Sequence, residues 1–277
     1  MPQFPLPKQT LDRHGLRPKR SFGQNFLCDQ SLVEKIAACC GSLPGTVVEI
    51  GAGLGGLTYC LLERGHHVIA IERDRDMIAI LGELNAYNTE GERFRLLEDD
   101  AKSVDYRQLF ASAGAPRVLC GNLPYNLTGV LMRRAIELAP YLERVVFLVQ
   151  LEVADRLAAQ PSSAAYGALS VFAQAAFKAE RAFIVRRGAF YPQPGVDSAV
   201  VTLTPREDRV PETPRFQKVV SSAFAARRKT LRNAWRALGL SSEQLQSFAD
   251  NAQISLDARG ETLGVDDFRR MSDQFGD

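Results

Sequence analysis

The chain has 277 residues, of which 45% are hydrophobic and 24% charged, enough for one large domain plus a small one and too ordinary a mixture for extended disorder. No apolar run approaches the roughly 20 residues of a membrane-spanning helix, and the proline-bearing, charged N-terminus lacks the basic end and apolar block of a secretory signal, so a cytoplasmic protein with no membrane partner is expected. The net charge of +2 hides a gradient: residues 1–20 hold five basic and one acidic side chain, residues 21–180 hold 14 and 19, and residues 181–277 hold 15 and 12, a segregation that suits a polyanionic partner.

From residue 46 onward, short β-branched runs alternate with helix-length segments. Strands are predicted at Thr46–Ile50, His67–Ile71, Phe94–Leu97, Arg117–Cys120 and Arg144–Val149, and helices at Leu54–Arg64, Asp74–Ala86 and Gly129–Leu138. The alternation predicts a Rossmann-like, doubly wound α/β domain with a mostly parallel sheet. Ala182–Arg186 and Ser198–Leu203 are candidates for an added antiparallel edge. After Pro205 the polar, proline-bearing segment 206–214 reads as a linker. Beyond it Val220, Phe224, Leu231, Trp235 and Leu238 fall at helical spacing, and Ser241–Asp250 and Val265–Phe275 are also helix-like. A small all-helical domain over 206–277 is predicted. The five cysteines, Cys28, Cys39, Cys40, Cys60 and Cys120, are odd in number and form no CxxC pair. They are read as reduced, packed thiols, with no metal site.

The segment Val47 to Thr58 is a strand entering a glycine-rich turn and a helix, with Gly51, Gly53 and Gly56 in G-x-G-x-x-G spacing. Glycine allows φ above zero and close approach of the backbone to a ligand. Glu72 follows Gly51 by 21 residues, at the end of the next strand, placed to accept both hydroxyls of a ribose. This pattern alone leaves a dinucleotide and S-adenosylmethionine both open. Glu49 ahead of the first glycine and the acidic run Glu98-Asp99-Asp100 after the third strand favour S-adenosylmethionine, with Asp100 chosen for the cofactor's adenine.

Asn122-Leu123-Pro124-Tyr125 follows the fourth strand, at the carboxyl end where α/β folds bind ligands. An exocyclic aromatic amine is a weak nucleophile because its lone pair is delocalised into the ring. Two acceptors can draw it toward tetrahedral geometry: the Asn122 side-chain oxygen and, on this reading, the Pro124 carbonyl. Tyr125 offers a flat face for the base, worth about 1–3 kcal/mol. With the methyl group already activated on a sulfonium, alignment supplies most of the acceleration, and no metal, nucleophile or strong base is needed.

Together these residues resemble the small-subunit ribosomal RNA dimethyladenosine transferases over nearly the whole chain. The matching stretches, in the family's order, are 19–27 (Lys19-Arg20-Ser21-Phe22-Gly23-Gln24-Asn25-Phe26-Leu27), the glycine loop, Asn122 to Tyr125, Gln150 with 152–157, Tyr166-Gly167, 190–198 (Phe190 to Ser198) and 227–232. The resemblance implies dimethylation of the 6-amino groups of two adjacent adenosines in a hairpin near the 3′ end of the small-subunit RNA, on a pre-assembled, immature 30S particle; a monomer is the default expectation. It places Asn25, Leu27, Gly51, Gly53, Glu72, Asp100 and Asn122 on the cofactor. The target base would lie at Asn122, Leu123, Pro124 and Tyr125, with Phe190 as a second aromatic wall. It also makes residues 1–22 a flexible basic arm, with the catalytic domain over 23–205. One departure is Ala52, where many relatives carry proline; alanine occupies the same backbone region, so binding should survive. Arg228, Lys229, Arg232 and Arg236 are read as one side of a single helix, a basic stripe about 12 Å long that matches a phosphate backbone. A methyltransferase acting on one adenosine of large-subunit RNA would share this core, and an assembly factor with subordinated chemistry is a further alternative. The runs 190–198 and 258–263 favour the small-subunit type.

Overall fold

The computed structural model describes residues 3–84, 93–226 and 228–275. The chain divides into two compact units, Met1–Ala154 with Glu180–Pro205, and Asp155–Ala179 with Arg206–Asp277. Among the described residues the strands are β1 (Phe26–Leu27), β2 (Thr46–Ile50), β3 (His67–Glu72), β4 (Phe94–Glu98), β5 (Arg117–Asn122), β6 (Arg144–Gln150), β7 (Phe177–Val185), β8 (Phe190–Tyr191) and β9 (Ser198–Pro205). Seven form one sheet in the order β4-β3-β2-β5-β6-β9-β7. The five neighbours β4-β3-β2-β5-β6 pair in parallel, and β9 runs antiparallel to β6. Every residue of β2 and the five interior residues of β6 are buried, as continuous β-branched runs demand in a sheet covered on both faces.

The chain leaves β2 for β3 and β4 on one side, then returns to β5 on the other. This reversal opens a crevice at the carboxyl ends of β2 and β5, where such folds bind ligands. Gly121 in β5 secures the close pairing: a Cβ there would lie 2.5 Å from the Ile50 carbonyl oxygen.

The helices of this part are α1 (Pro7–Arg13), α2 (Gln30–Cys39), α3 (Gly56–Glu63), α4 (Arg75–Leu81), α5 (Tyr106–Ala111), α6 (Thr128–Leu138) and α7 (Leu151–Leu157). The helix expected over 74–86 is α4, capped by the Asp74 side chain on the Asp76 N–H; the last two residues of that expectation, 85 and 86, lie outside the described residues. The flexible basic arm expected over 1–22 is corrected from residue 3 onward. It forms α1, and Leu11 is buried in a cluster with Phe26, Leu54, Met77 and Ile80. Leu11 and Thr10 give the helix an apolar side to bury, and burial outweighs the solvation of its charged side.

The second unit contains α8 (Ala168–Ala176), α9 (Pro214–Phe224), α10 (Leu231–Ala234), α11 (Ser242–Asn251) and α12 (Val265–Asp273). Its core gathers Phe216, Val219, Leu231, Trp235, Phe268 and Met271, with Tyr166, Val171 and Ala175 from the earlier segment. The Trp235 indole donates to the Val219 carbonyl at 3.0 Å, and the Tyr166 hydroxyl to the Leu263 carbonyl at 2.9 Å. A boundary at 205 alone therefore leaves out 155–179, whose apolar side chains complete this core. Among the described residues no helix is long and apolar enough to cross a membrane.

Candidate active site

The crevice beyond β2 and β5 is a cleft of ≈ 330 Å³ lined by the glycine loop, the ends of β3 and β5, the loop after β4 and the segment 21–27, within the roughly 300–1,000 Å³ usual for small ligands. Gly51 and Gly53 have φ of 69° and 58°, so the loop needs residues free of the left-handed penalty. No atom lies within 4 Å of a Cβ built on Gly51, while one on Gly53 would press on the Phe26 ring at 3.0 Å. Glu72 is 8% exposed. Its Oε2 accepts the Gly53 N–H at 2.9 Å, and its Oε1 accepts those of Arg73 and Asp74 at 2.8 and 2.9 Å. Three of about four acceptor positions are thus taken, leaving room for one ribose hydroxyl on Oε2 instead of the two expected.

Asp100 lines the same cleft. Its Oδ2 pairs with Arg73 at 3.1 Å and Lys102 at 3.4 Å, and its Oδ1 accepts the Lys102 N–H at 3.0 Å. Partial burial opposes its ionisation, but the Lys102 amide and the Lys102 and Arg73 charges outweigh that and hold the carboxyl below the ordinary aspartate range. Glu49 lies on the cleft floor, 2% exposed, accepting the Thr58 hydroxyl at 2.6 Å. Burial first, and the Glu72 charge second, push it up to about 7 against the opposing Thr58 bond. Neither Glu49 nor Glu72 forms an ion pair with a described residue. Buried carboxylates without an ion-pair partner among the described residues, beside a left-handed glycine turn, fit a ligand that carries a ribose and positive charge, as S-adenosylmethionine does.

The tetrapeptide sits where β5 ends. Asn122 Nδ2 donates to the Asn25 carbonyl at 2.8 Å, so the amide is held with its Oδ1 free of any described partner. The Tyr125 hydroxyl shares a 3.2 Å hydrogen bond with Ser198, which is 1% exposed at the start of β9. The Pro124 carbonyl does not fit the acceptor role expected for it. It already receives the Leu127 N–H at 2.9 Å and the Thr128 hydroxyl at 3.3 Å, which close the turn into α6. The Leu123 carbonyl, one residue back and on the cleft, accepts from no described residue.

The structure brings Asn25, Leu27, Gly51, Gly53, Glu72, Asp100 and residues 122–125 to one cleft. Phe190 is not among its walls. It pairs with Leu27 across the β1–β8 ribbon and is 5% exposed, in the core cluster that also holds Val185 and Val200; the second aromatic wall is corrected to a core side chain. Cys120 is fully buried, and burial together with the adjacent Cys40 drives its thiol well above the ordinary range, so it is no nucleophile. The helical basic stripe is also corrected. Arg228 and Lys229 lie in the turn after α9, Arg232 in α10 and Arg236 in a 3-10 turn; Arg227 lies outside the described residues. The Leu231 and Arg232 amides donate to the Ala258 and Leu256 carbonyls, both at 2.8 Å, so no helix can run back through Thr230. Sequence reasoning gave no individual role to the Asn25 carbonyl, Ser198, Lys19 or Asp74, although the first resemblance stretch contains Lys19 and Asn25 and a later one Ser198.

Fold and cleft, with the family and relatives given below, define a class: a doubly wound, S-adenosylmethionine-dependent methyltransferase. The fold is shared with a dimethyladenosine transferase from Plasmodium falciparum (TM-score 0.71, 24% identity, 89% of this chain and 95% of that one) and with the 23S rRNA methyltransferase ErmE (TM-score 0.66, 22% identity, 90% and 98%). Within that class the chain belongs to the ribosomal RNA adenine dimethylase family, whose sequence profile matches residues 15–277. The ribosomal RNA small subunit methyltransferase A of Anaeromyxobacter sp. strain K is 42% identical, with 99% of each chain covered, and that of Myxococcus xanthus is 40% identical, with 98% and 95% covered.

Proposed function

We propose that the chain uses S-adenosylmethionine to dimethylate the 6-amino groups of two adjacent adenosines in the 3′-terminal hairpin of small-subunit (16S) ribosomal RNA. On this reading it acts in the cytoplasm, as a monomer, on an immature 30S particle, and takes part in small-subunit biogenesis. The observation that carries it is the pair of acceptors left open at the end of β5, Asn122 Oδ1 and the Leu123 carbonyl. Full-length relatives at about 40% identity support the small subunit over the large.

The cofactor supplies an electrophilic methyl group on a sulfonium. Glu72 would hold one ribose hydroxyl on its remaining acceptor, Asp100 the adenine amine, and the Gly51–Gly53 backbone the methionine part, with Asn25 and Leu27 lining the same cleft. Asn122 Oδ1 and the Leu123 carbonyl accept hydrogen bonds from the two N–H groups of the target amine, drawing lone-pair density back to the nitrogen. Tyr125, its hydroxyl tied to Ser198, presents a fixed ring for the adenine to stack on. Arg228, Lys229, Arg232 and Arg236 contribute phosphate contacts as scattered surface charges.

The test is methyl transfer to immature small subunits against naked RNA, with the product mapped, alongside primer extension on RNA from cells lacking the protein. Dimethylation at the small-subunit hairpin that disappears with the protein is expected. Unchanged modification there, or product in large-subunit RNA, sinks the reading.

A further inference from the structure

Asp74 lies two residues beyond Glu72 and is 2% exposed, yet beyond capping α4 its carboxylate has no role in the account above. Lys19 Nζ approaches its Oδ1 at 2.6 Å and Gln24 Nε2 its Oδ2 at 2.7 Å, while Lys19 also reaches Asp76 at 2.6 Å. The Lys19 N–H donates to Gln24 Oε1 at 2.7 Å. The turn from Lys19 to Gln24 is therefore closed on itself and pinned at both ends to one buried carboxylate. One residue on, the Asn25 carbonyl accepts Asn122 Nδ2 at 2.8 Å. Two residues before Asp74 is Glu72, whose Oε1 accepts the Asp74 N–H at 2.9 Å. Hydrogen bonds and a few peptide links thus join the ribose-binding carboxylate to the target-binding amide.

We propose that Lys19, Gln24 and Asp74 are positioning residues that dock residues 23–27 so that the Asn25 carbonyl holds the Asn122 amide with its oxygen toward the target amine. This rests on the role given to Asn122 above. The last torsion of asparagine is broad and roughly two-fold, so an unanchored Asn122 presents its NH₂ as readily as its oxygen, and a donor there cannot draw the amine toward tetrahedral geometry. The Asn25 carbonyl removes that ambiguity only while its segment is held down. Charge-assisted bonds to a desolvated carboxylate are the strong kind, which suits a clamp that has to outlast each substrate encounter.

The experiment compares Lys19→Met, Lys19→Arg, Asp74→Asn and the Lys19→Met/Asp74→Asn pair in the full chain. Asparagine caps a helix as well as aspartate, so Asp74→Asn leaves the start of α4 intact. Hydrogen exchange of the peptide spanning 19–27 reads docking without turnover, and kcat and KM for RNA are measured at saturating cofactor. Lys19→Met and Asp74→Asn should each speed exchange in that peptide alone and lower kcat by roughly ten-fold or more, as small misplacements of reacting groups do, with KM little changed. The double variant should be no worse than the worse single, and Lys19→Arg should restore the rate. Wild-type kcat in Lys19→Met, additive losses in the double variant, or no rescue by arginine overturns the inference. A wild-type protein that binds cofactor but methylates no adenine overturns the functional reading as well, whereas an unchanged Lys19→Met rate overturns only this one.

Discussion

Glu49→Gln should make the protein more stable at neutral pH, and the gain should vanish in acid. The carboxylate is fully buried, has one hydrogen bond, from Thr58, and feels the Glu72 charge, so it is pushed from its ordinary 4.5 to about 7. Below 4.5 both folded and unfolded chains hold the proton, and no stability is lost. Between 4.5 and about 7 the unfolded chain ionises while the folded one does not, so stability falls as pH rises. Above the folded value the loss levels off. At about 1.4 kcal/mol for each tenfold change in ionisation, the full loss is about 3 kcal/mol. Glutamine fills the same volume, still accepts the Thr58 hydroxyl and does not titrate. The assay is urea unfolding of both proteins, without cofactor, at fixed ionic strength from about pH 4.5 to about pH 8. The variant's advantage should grow from near zero to about 3 kcal/mol over that window. A difference that stays flat with pH refutes the argument, because it would mean that Glu49 ionises as readily in the folded chain as in water.

Other outcomes follow from the same geometry. Asn122→Ala should lower kcat by roughly a hundred-fold or more, the scale for removing one preorganised transition-state contact, while calorimetry with S-adenosylhomocysteine shows a much smaller change. Ser198→Ala and Tyr125→Phe should slow methyl transfer to a similar extent, and the double variant no further; additive losses would mean that the 3.2 Å bond between the two hydroxyls does not hold the ring. Phe190→Ala should cost about 3–5 kcal/mol in denaturant unfolding, as for other buried phenylalanines, and a loss of activity at unchanged stability would instead return Phe190 to the cleft wall. Arg236→Ala should weaken RNA binding alike for all sequences and reduce the salt slope by about one, read by titration at several salt concentrations.

The legible parts of the fold were those with a local cause. Strand β2 is a buried, mostly β-branched run paired on both edges, so its limits, Thr46–Ile50, follow from composition. The glycine turn, Glu72, Asp100 and Asn122 were legible because one sheet's carboxyl ends must converge whatever packs around them. What could not be read depended on distant partners. The Pro124 carbonyl is consumed by Thr128 and the Leu127 amide, in a turn that periodicity does not encode. The break before Leu231 comes from carbonyls of Ala258 and Leu256, more than twenty residues away in sequence. The two-residue pairing of Phe26–Leu27 with Phe190–Tyr191 is too short to leave a pattern, yet it is what takes Phe190 out of the cleft.

The charge gradient read in the sequence takes on a different meaning once partners are assigned. The basic N-terminus suggested a grip on a polyanion; of its five basic side chains Lys19 is committed to Asp74 and Asp76, whereas Lys8, Arg13, Arg17 and Arg20 form no ion pair with a described residue. The acidic middle is no random excess. It includes Glu49, Glu72 and Asp100 along the cleft, where on the proposed function a positively charged cofactor would gain from carboxylates that have little water to screen them. In the second unit Arg232 is shared with Asp257 and Gln246, whereas Arg228, Lys229 and Arg236 are exposed and form no ion pair with a described residue. These three can release counterions on meeting phosphate without first breaking a bond within the protein. On the proposed function, the chain's slight net positive charge is the sum of two opposite tasks, an acidic floor for a small cation and basic side chains, without an ion pair to any described residue, for RNA.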